Sequence, residues 1–271
     1  MGTWRIVGTS WGITSKNLWL VGLIALFQVL LSAIGLPLVT EGNQATGVML
    51  GVGLAIALIQ FFTFPLIQGG CVAFAATESS QSPATSSPFA RFKEGAIRLY
   101  GKLLGYEALT AVMVLGLAIV AVVLFGISTM PAQHAQALSI VLVLLASTVI
   151  GIGLYFLMMI TTMTPVVIVV ERLGVFKGIA KGLRVARATV GKLMLVGLAL
   201  GLTLIPAFLV MVLPGFLFLQ KEGAVMGLGW KLLAMVLQSV VTGLATVLFT
   251  LAMVQIYRHR ANLAQSSAPS H

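Results

Sequence analysis

The sequence predicts an all-α fold: a polytopic membrane bundle of six transmembrane helices, arranged as three hairpins that are each preceded by an interfacial amphipathic helix. Three observations predict it. Hydrophobic residues make up 59% of the 271 and charged residues 8%, with no aspartate at all. Soluble domains carry about 25% charge, so a water-facing surface cannot be assembled from this composition. Six apolar stretches are each long enough to cross a hydrocarbon core about 30 Å thick, which takes roughly 20 helical residues. Nearly all the basic residues gather in alternate gaps between those stretches.

The spans are expected at about 18–40, 47–72, 103–127, 138–170, 193–219 and 225–257, within one integral membrane domain over 1–262. The fourth and sixth are longer than a crossing requires, so each tilts, bends or projects beyond the bilayer. Pro165 is a candidate bend in the fourth. Residues 1–17 hold Trp4, Arg5, Trp11 and Lys16 ahead of an apolar run longer than a signal-peptide core, with no small-residue cleavage site after it. The first span is therefore expected to be retained. Residues 77–88 are rich in Ser, Thr and Pro and read as a flexible cytoplasmic linker, and 263–271 as a disordered tail.

Orientation follows from where the cations lie, since cytoplasmic loops hold positive charge back during insertion. Of the 16 Lys and Arg residues, 14 fall on one side of the bilayer, and only Lys221 and Lys231 on the other. Both termini are thus expected to be cytoplasmic, in a bacterial inner membrane, with short outer loops at 41–46, 128–137 and 220–224. A net charge of +10 in this arrangement points to membrane phospholipids as partners, with other membrane proteins as further candidates. Nucleic acid is not expected, because its binding needs Lys and Arg gathered on a soluble face.

A threefold pattern runs through the chain. A short amphipathic segment stands before each odd-numbered span, and a lysine marks each span's start: Lys16, Lys102 and Lys192, 86 and 90 residues apart. The second and fourth spans echo one another in Thr63-Phe64-Pro65 and Thr164-Pro165, although the sixth has no proline there. Three copies of a helix-plus-hairpin unit are inferred, against a background in which membrane segments converge in composition.

The third amphipathic segment, 175–192, is the clearest. Phe176, Ile179, Ala180, Leu183 and Val190 share one helical face, and Lys177, Lys181, Arg184 and Arg187 share another. A helix of this kind lies in the membrane interface, where each cation beside an anionic leaflet is worth about 1 kcal/mol. Lys177, Lys181, Arg184, Arg187 and Lys192 are the candidate contacts to anionic lipid. The competing reading is an anchor that only sets topology. In the second segment Phe89, Phe92, Ala96 and Leu99 oppose Arg91 and Arg98 in the same way.

Ionisable residues inside a span are functional suspects because hydrocarbon makes them costly. Glu107 is the candidate, about one and a half turns into the third span beside Tyr106. It stands either to pair with a Lys or Arg near the interface or to serve a proton or substrate. Lys231 beside Trp230 can snorkel to water. Mid-depth carboxylates of the sort that coupled transporters use are otherwise missing.

No catalytic, cofactor-binding or metal-binding residues are expected. His134, His259 and His271 are too dispersed for a metal site, and the lone Cys71 excludes a disulfide or CxxC pair. Zinc-protease, nucleophile-elbow and phosphate-loop motifs do not occur. Gly47 with Gly51, Gly197 with Gly201, and Gly223 with Gly227 are GxxxG pairs that would let helices approach closely. Pro65, Pro206 and Pro214 are candidate kinks or gates.

The run 89–104, the stretch Pro165-Val-Val-Ile-Val-Val-Glu171-Arg172-Leu-Gly174 leading into Phe176-Lys-Gly-Ile-Ala-Lys-Gly-Leu, and Gly191-Lys192 together resemble the bacterial six-span families related to the membrane domain of glycerophosphodiester phosphodiesterases and to YciC-like proteins. The resemblance covers nearly the whole chain and implies architecture only. The His, Glu and Asp residues of the phosphodiesterases' soluble catalytic domain have no counterpart here, so no reaction is implied. The expected role is a noncatalytic scaffold or accessory subunit whose basic cytoplasmic helices rest on anionic lipid. The alternative is a transporter or channel for a small or amphipathic solute, and a membrane enzyme would need Glu107, Glu171 and Arg184 to converge.

Overall fold

The computed structural model describes residues 2–40, 46–79, 87–129, 136–219 and 228–266. Most of the loops expected at 41–46, 128–137 and 220–224 and of the linker expected at 77–88 lies outside them, as do His134, Lys221, Gly223, Gly227, His271 and the end of the tail. The surroundings of Gly47, Pro214 and Lys231 are likewise outside the description.

Among the described residues all regular structure is helical: α1 (Thr3–Lys16), α2 (Leu18–Thr40), α3 (Thr46–Glu78), α4 (Pro88–Arg98), α5 (Tyr100–Thr129), α6 (Gln136–Glu171), α7 (Val175–Leu219) and α8 (Leu228–Ser266). Five helices are long and apolar enough to cross a membrane, over Gly51–Glu78, Tyr100–Leu124, Val143–Glu171, Val175–Pro206 and Leu232–Asn262. Thr3–Lys16 and Leu18–Ala33 form a pair bent by 79° that makes a sixth. The fold is an all-α helix bundle, and the protein is a multi-pass membrane protein.

Local chemistry explains the helix boundaries. Asn17 leaves the helical region with φ −129°, its backbone N–H donates to the Thr14 carbonyl, and its side-chain amide donates to that of Ile13. Its own carbonyl then accepts from Leu20 N–H, so one residue ends α1 and starts α2 at nearly a right angle. Ser87 caps α4 by accepting the Ala90 N–H at 3.2 Å. Pro88 occupies the first helical position, where its missing N–H costs nothing. One expectation changes here: the third amphipathic segment is not a separate helix, because α7 runs unbroken for 45 residues from Val175. Without an asparagine break or a proline near 190, nothing interrupts its hydrogen-bond ladder.

Pro65 and Pro165 sit inside continuous helices. Threonine hydroxyls bond to the carbonyls of the preceding turn at both places: Thr63 donates to Ile59 O, and Thr161 donates to Leu157 O at 2.9 Å. These bonds end on carbonyls up to one turn before those of Phe61 and Thr161, which the prolines leave without an N–H partner.

The chain divides into two compact units, Met1–Ile97 with Thr189–His271, and Arg98–Ala188. In the first, α2 packs along α8 and α3, and α1 lies on α8. A Cβ built on Gly243 would come within 2.9 Å of the Val21 carbonyl oxygen, so α8 and α2 touch backbone to backbone there. Ile6, Leu20, Ile24, Phe74, Leu248, Leu251 and Ile256 form the buried core. Buried Gln255 donates to Ser10 Oγ at 3.3 Å, tying the end of α8 to α1. α4 lies on α3 with Gly95 against Ala73, and the edges of the Trp19, Phe74, Phe89 and Phe92 rings meet beside that crossing.

In the second unit α5 packs along α6, where Leu117 fills the space that a side chain at Gly153 would need. Its buried residues are Leu103 and Tyr106 at the start of α5 and Met159 to Val169 near the end of α6. Further along α5, Val112, Leu115, Ile119 and Val122 form an exposed stripe at spacings of three and four. In a bilayer this stripe faces acyl chains and needs no protein cover. In each unit, close packing is concentrated at the basic ends of the spans.

Candidate functional site

Exposed cations stand beside exposed apolar surface on the first four turns of α7, in the second unit. The turn that delivers α7 is unusual. Arg172 has φ 55°, a left-handed conformation that side chains other than glycine seldom adopt. Lys102 Nζ donates to its carbonyl at 2.5 Å, pinning the corner between α6 and α7 from α5. Gly178 N–H then donates to Gly174 O at 2.8 Å and starts the new helix.

Small residues hold α7 down. A Cβ at Gly182 would lie 2.6 Å from Thr164 Oγ1 and 2.8 Å from Thr164 Cα, and one at Gly178 would collide with the Ile168 side chain. Gly178, Gly182, Val185 and Ala186 are the buried positions of this stretch. The helix therefore has three faces where the sequence suggests two. A seam holding both glycines grips α6, the cationic positions turn outward with Phe176 and Ala180, and Ile179, Leu183 and Val190 are half-buried. Phe176, expected on the apolar face, is 78% exposed, and Ala180 is exposed with it.

The cations divide by use. Lys181 Nζ pairs with Glu171 Oε2 at 2.5 Å, with the two side chains 45% and 28% exposed. Lys177, Arg184 and Arg187 are exposed, and among the described residues no carboxylate lies within ion-pair distance of them. Arg184 and Arg187 line an open groove of about 470 Å³ together with Ala180, Leu183 and Ala188. Lys192, the fifth candidate, is half-buried and belongs to the first unit.

Glu107 is half-buried on α5, directly after Tyr106, which is buried and hydrogen-bonded to Thr110. Among the described residues no Lys or Arg lies within ion-pair distance of it. Of the trio an enzyme would need, Glu171 is already committed to Lys181. No group of three or more His, Cys, Asp or Glu side chains among the described residues is placed to hold a metal ion.

Of the GxxxG glycines, Gly51, Gly197 and Gly201 have described surroundings, and none of them marks a close approach. Nothing lies within 4 Å of a Cβ on Gly51 or Gly201, and Gly197 meets only Phe249, at an ordinary 3.8 Å. On α7 it is Gly182 that meets the Thr164 backbone and Gly178 that meets the Ile168 side chain, a spacing of four present in the sequence but in a segment read for its charges. The Glu171–Lys181 bridge also has a counterpart. Glu78 at the end of α3 pairs with Arg91 of α4 at 2.7 Å, again beside a glycine pressed on the preceding span. The two corners thus share a local plan of one ion pair and one close glycine.

No protein-family model, no curated protein and no solved structure matches this chain.

Proposed function

We propose that this protein is a noncatalytic scaffold or accessory subunit of the bacterial cytoplasmic membrane, with both termini in the cytosol, which seats anionic phospholipid on the first turns of α7. The observation that carries the reading is the pairing of unneutralised cations with outward apolar side chains on a helix clamped by glycine. Phe176, Ala180 and Leu183 suit acyl chains, and Lys177, Arg184 and Arg187 beside them suit phosphates. A clamped helix keeps the cations in one place, so they present a site and not merely a diffuse charge. The resemblance to the six-span families agrees with this architecture and lends no reaction to it.

The test is lipid retention by the full chain in native mass spectrometry. Replacing Lys177, Arg184 and Arg187 together by Ala is expected to strip bound phosphatidylglycerol and cardiolipin. Retention equal to that of the unaltered protein would remove lipid binding from this helix.

A further inference from the structure

We infer that the Arg184–Arg187 groove is selective for lipids whose headgroup is a terminal phosphate monoester, a deepening that rests on the anionic-lipid reading above. Charge balance carries it. The groove is lined by two guanidinium-bearing residues and no acid. The nearest cation along the helix on that side, Lys181, is neutralised by Glu171. What remains is a compact pair of positive charges one helical turn apart, on a helix that cannot retreat because Gly182 is pressed against the Thr164 backbone.

A phosphodiester headgroup brings a single negative charge and two free oxygens, which leaves one arginine uncompensated. A phosphate monoester carries about −1.5 to −2 at neutral pH, with three acceptor oxygens. It matches both charges and lets each planar fork make two parallel hydrogen bonds. Leu183 and Ala180 form the apolar part of the groove wall, and Phe176 is exposed one turn before Ala180. A hydrocarbon chain below the phosphate therefore has surface to lie on, which commits the site to a lipid and not to a soluble phosphate.

The experiment uses the full chain in nanodiscs of neutral lipid doped with dioleoyl phosphatidic acid or dioleoyl phosphatidylglycerol, with glycerol 3-phosphate as a soluble competitor. Unaltered protein is expected to retain phosphatidic acid about tenfold better than phosphatidylglycerol, the margin of one additional charge-assisted hydrogen-bonded pair. Glycerol 3-phosphate should not displace it. Arg184→Lys with Arg187→Lys keeps the charge and removes the forks, so it should still hold phosphatidylglycerol while losing the preference.

Equal retention of the two lipids by unaltered protein, or a preference that survives the double lysine variant, would overturn the inference and leave general anionic-lipid binding standing. Displacement by glycerol 3-phosphate would assign the groove to a soluble phosphate instead. If the triple alanine variant described above loses neither lipid, the broader reading fails along with this one.

Discussion

Gly182 of α7 lies so close over Thr164 of α6 that no other residue fits: a Cβ there would meet the Thr164 Cα at 2.8 Å. Backbone cannot rotate away as a side chain can. Gly182→Ala is therefore expected to lower stability by about 1–3 kcal/mol, the usual cost of overpacking, read as a lower thermal unfolding midpoint in detergent. Gly191→Ala on the same helix, with nothing within 4 Å, should leave the midpoint unchanged or raise it. Equal behaviour of the two variants would show that the close crossing is absent.

The Glu171–Lys181 bridge is partly open to solvent, and exposed pairs are worth about 0–1 kcal/mol. Glu171→Gln should thus barely move the unfolding midpoint. It also frees a lysine next to the groove. Since each cation beside an anionic surface is worth about 1 kcal/mol, phosphatidylglycerol retention should rise about fivefold. A fall in retention would mean that the carboxylate itself organises the site.

Arg172 holds a left-handed conformation at φ 55°, which costs a side-chain-bearing residue about 1–2 kcal/mol. Arg172→Gly removes that cost, partly offset by about 0.5–1 kcal/mol from the freer unfolded chain. A small rise in midpoint is expected. Lys102→Met deletes the donor to the Arg172 carbonyl and should lower the midpoint by about 1 kcal/mol. A drop in stability for the glycine variant would show that the arginine side chain makes a contact worth more than the strain.

Topology is testable because Cys71 is the sole cysteine and is buried. In a Cys71→Ala background, Arg184→Cys should resist an impermeant maleimide applied to intact cells and react once the membrane is opened. Labelling from outside would invert the proposed orientation and take the inner-leaflet lipid site with it.

The helices were legible because each is set by local composition. Asn17 and Ser87-Pro88 mark boundaries through their own side chains, and uninterrupted apolar runs give the spans. The candidate cations were legible too, since helical periodicity alone puts Lys177, Arg184 and Arg187 on the outward side. Their availability was not. Which lysine is neutralised depends on Glu171, ten residues away across a turn, and no helical spacing rule pairs residues over such a corner. The separate third amphipathic helix did not appear, because amphipathicity reports which way side chains face and not where a hydrogen-bond ladder ends.

By itself, the order of residues determined that this polypeptide is helical and dissolved in lipid, because burying backbone polar groups in hydrocarbon leaves helix as the economical choice for apolar runs this long. Only the folded arrangement decided which glycines matter, which cations stay unpaired and where a groove opens. Those depend on contacts between segments distant in sequence, such as Lys102 with Arg172, 70 residues apart, and a pattern of neighbours along one chain carries no record of them.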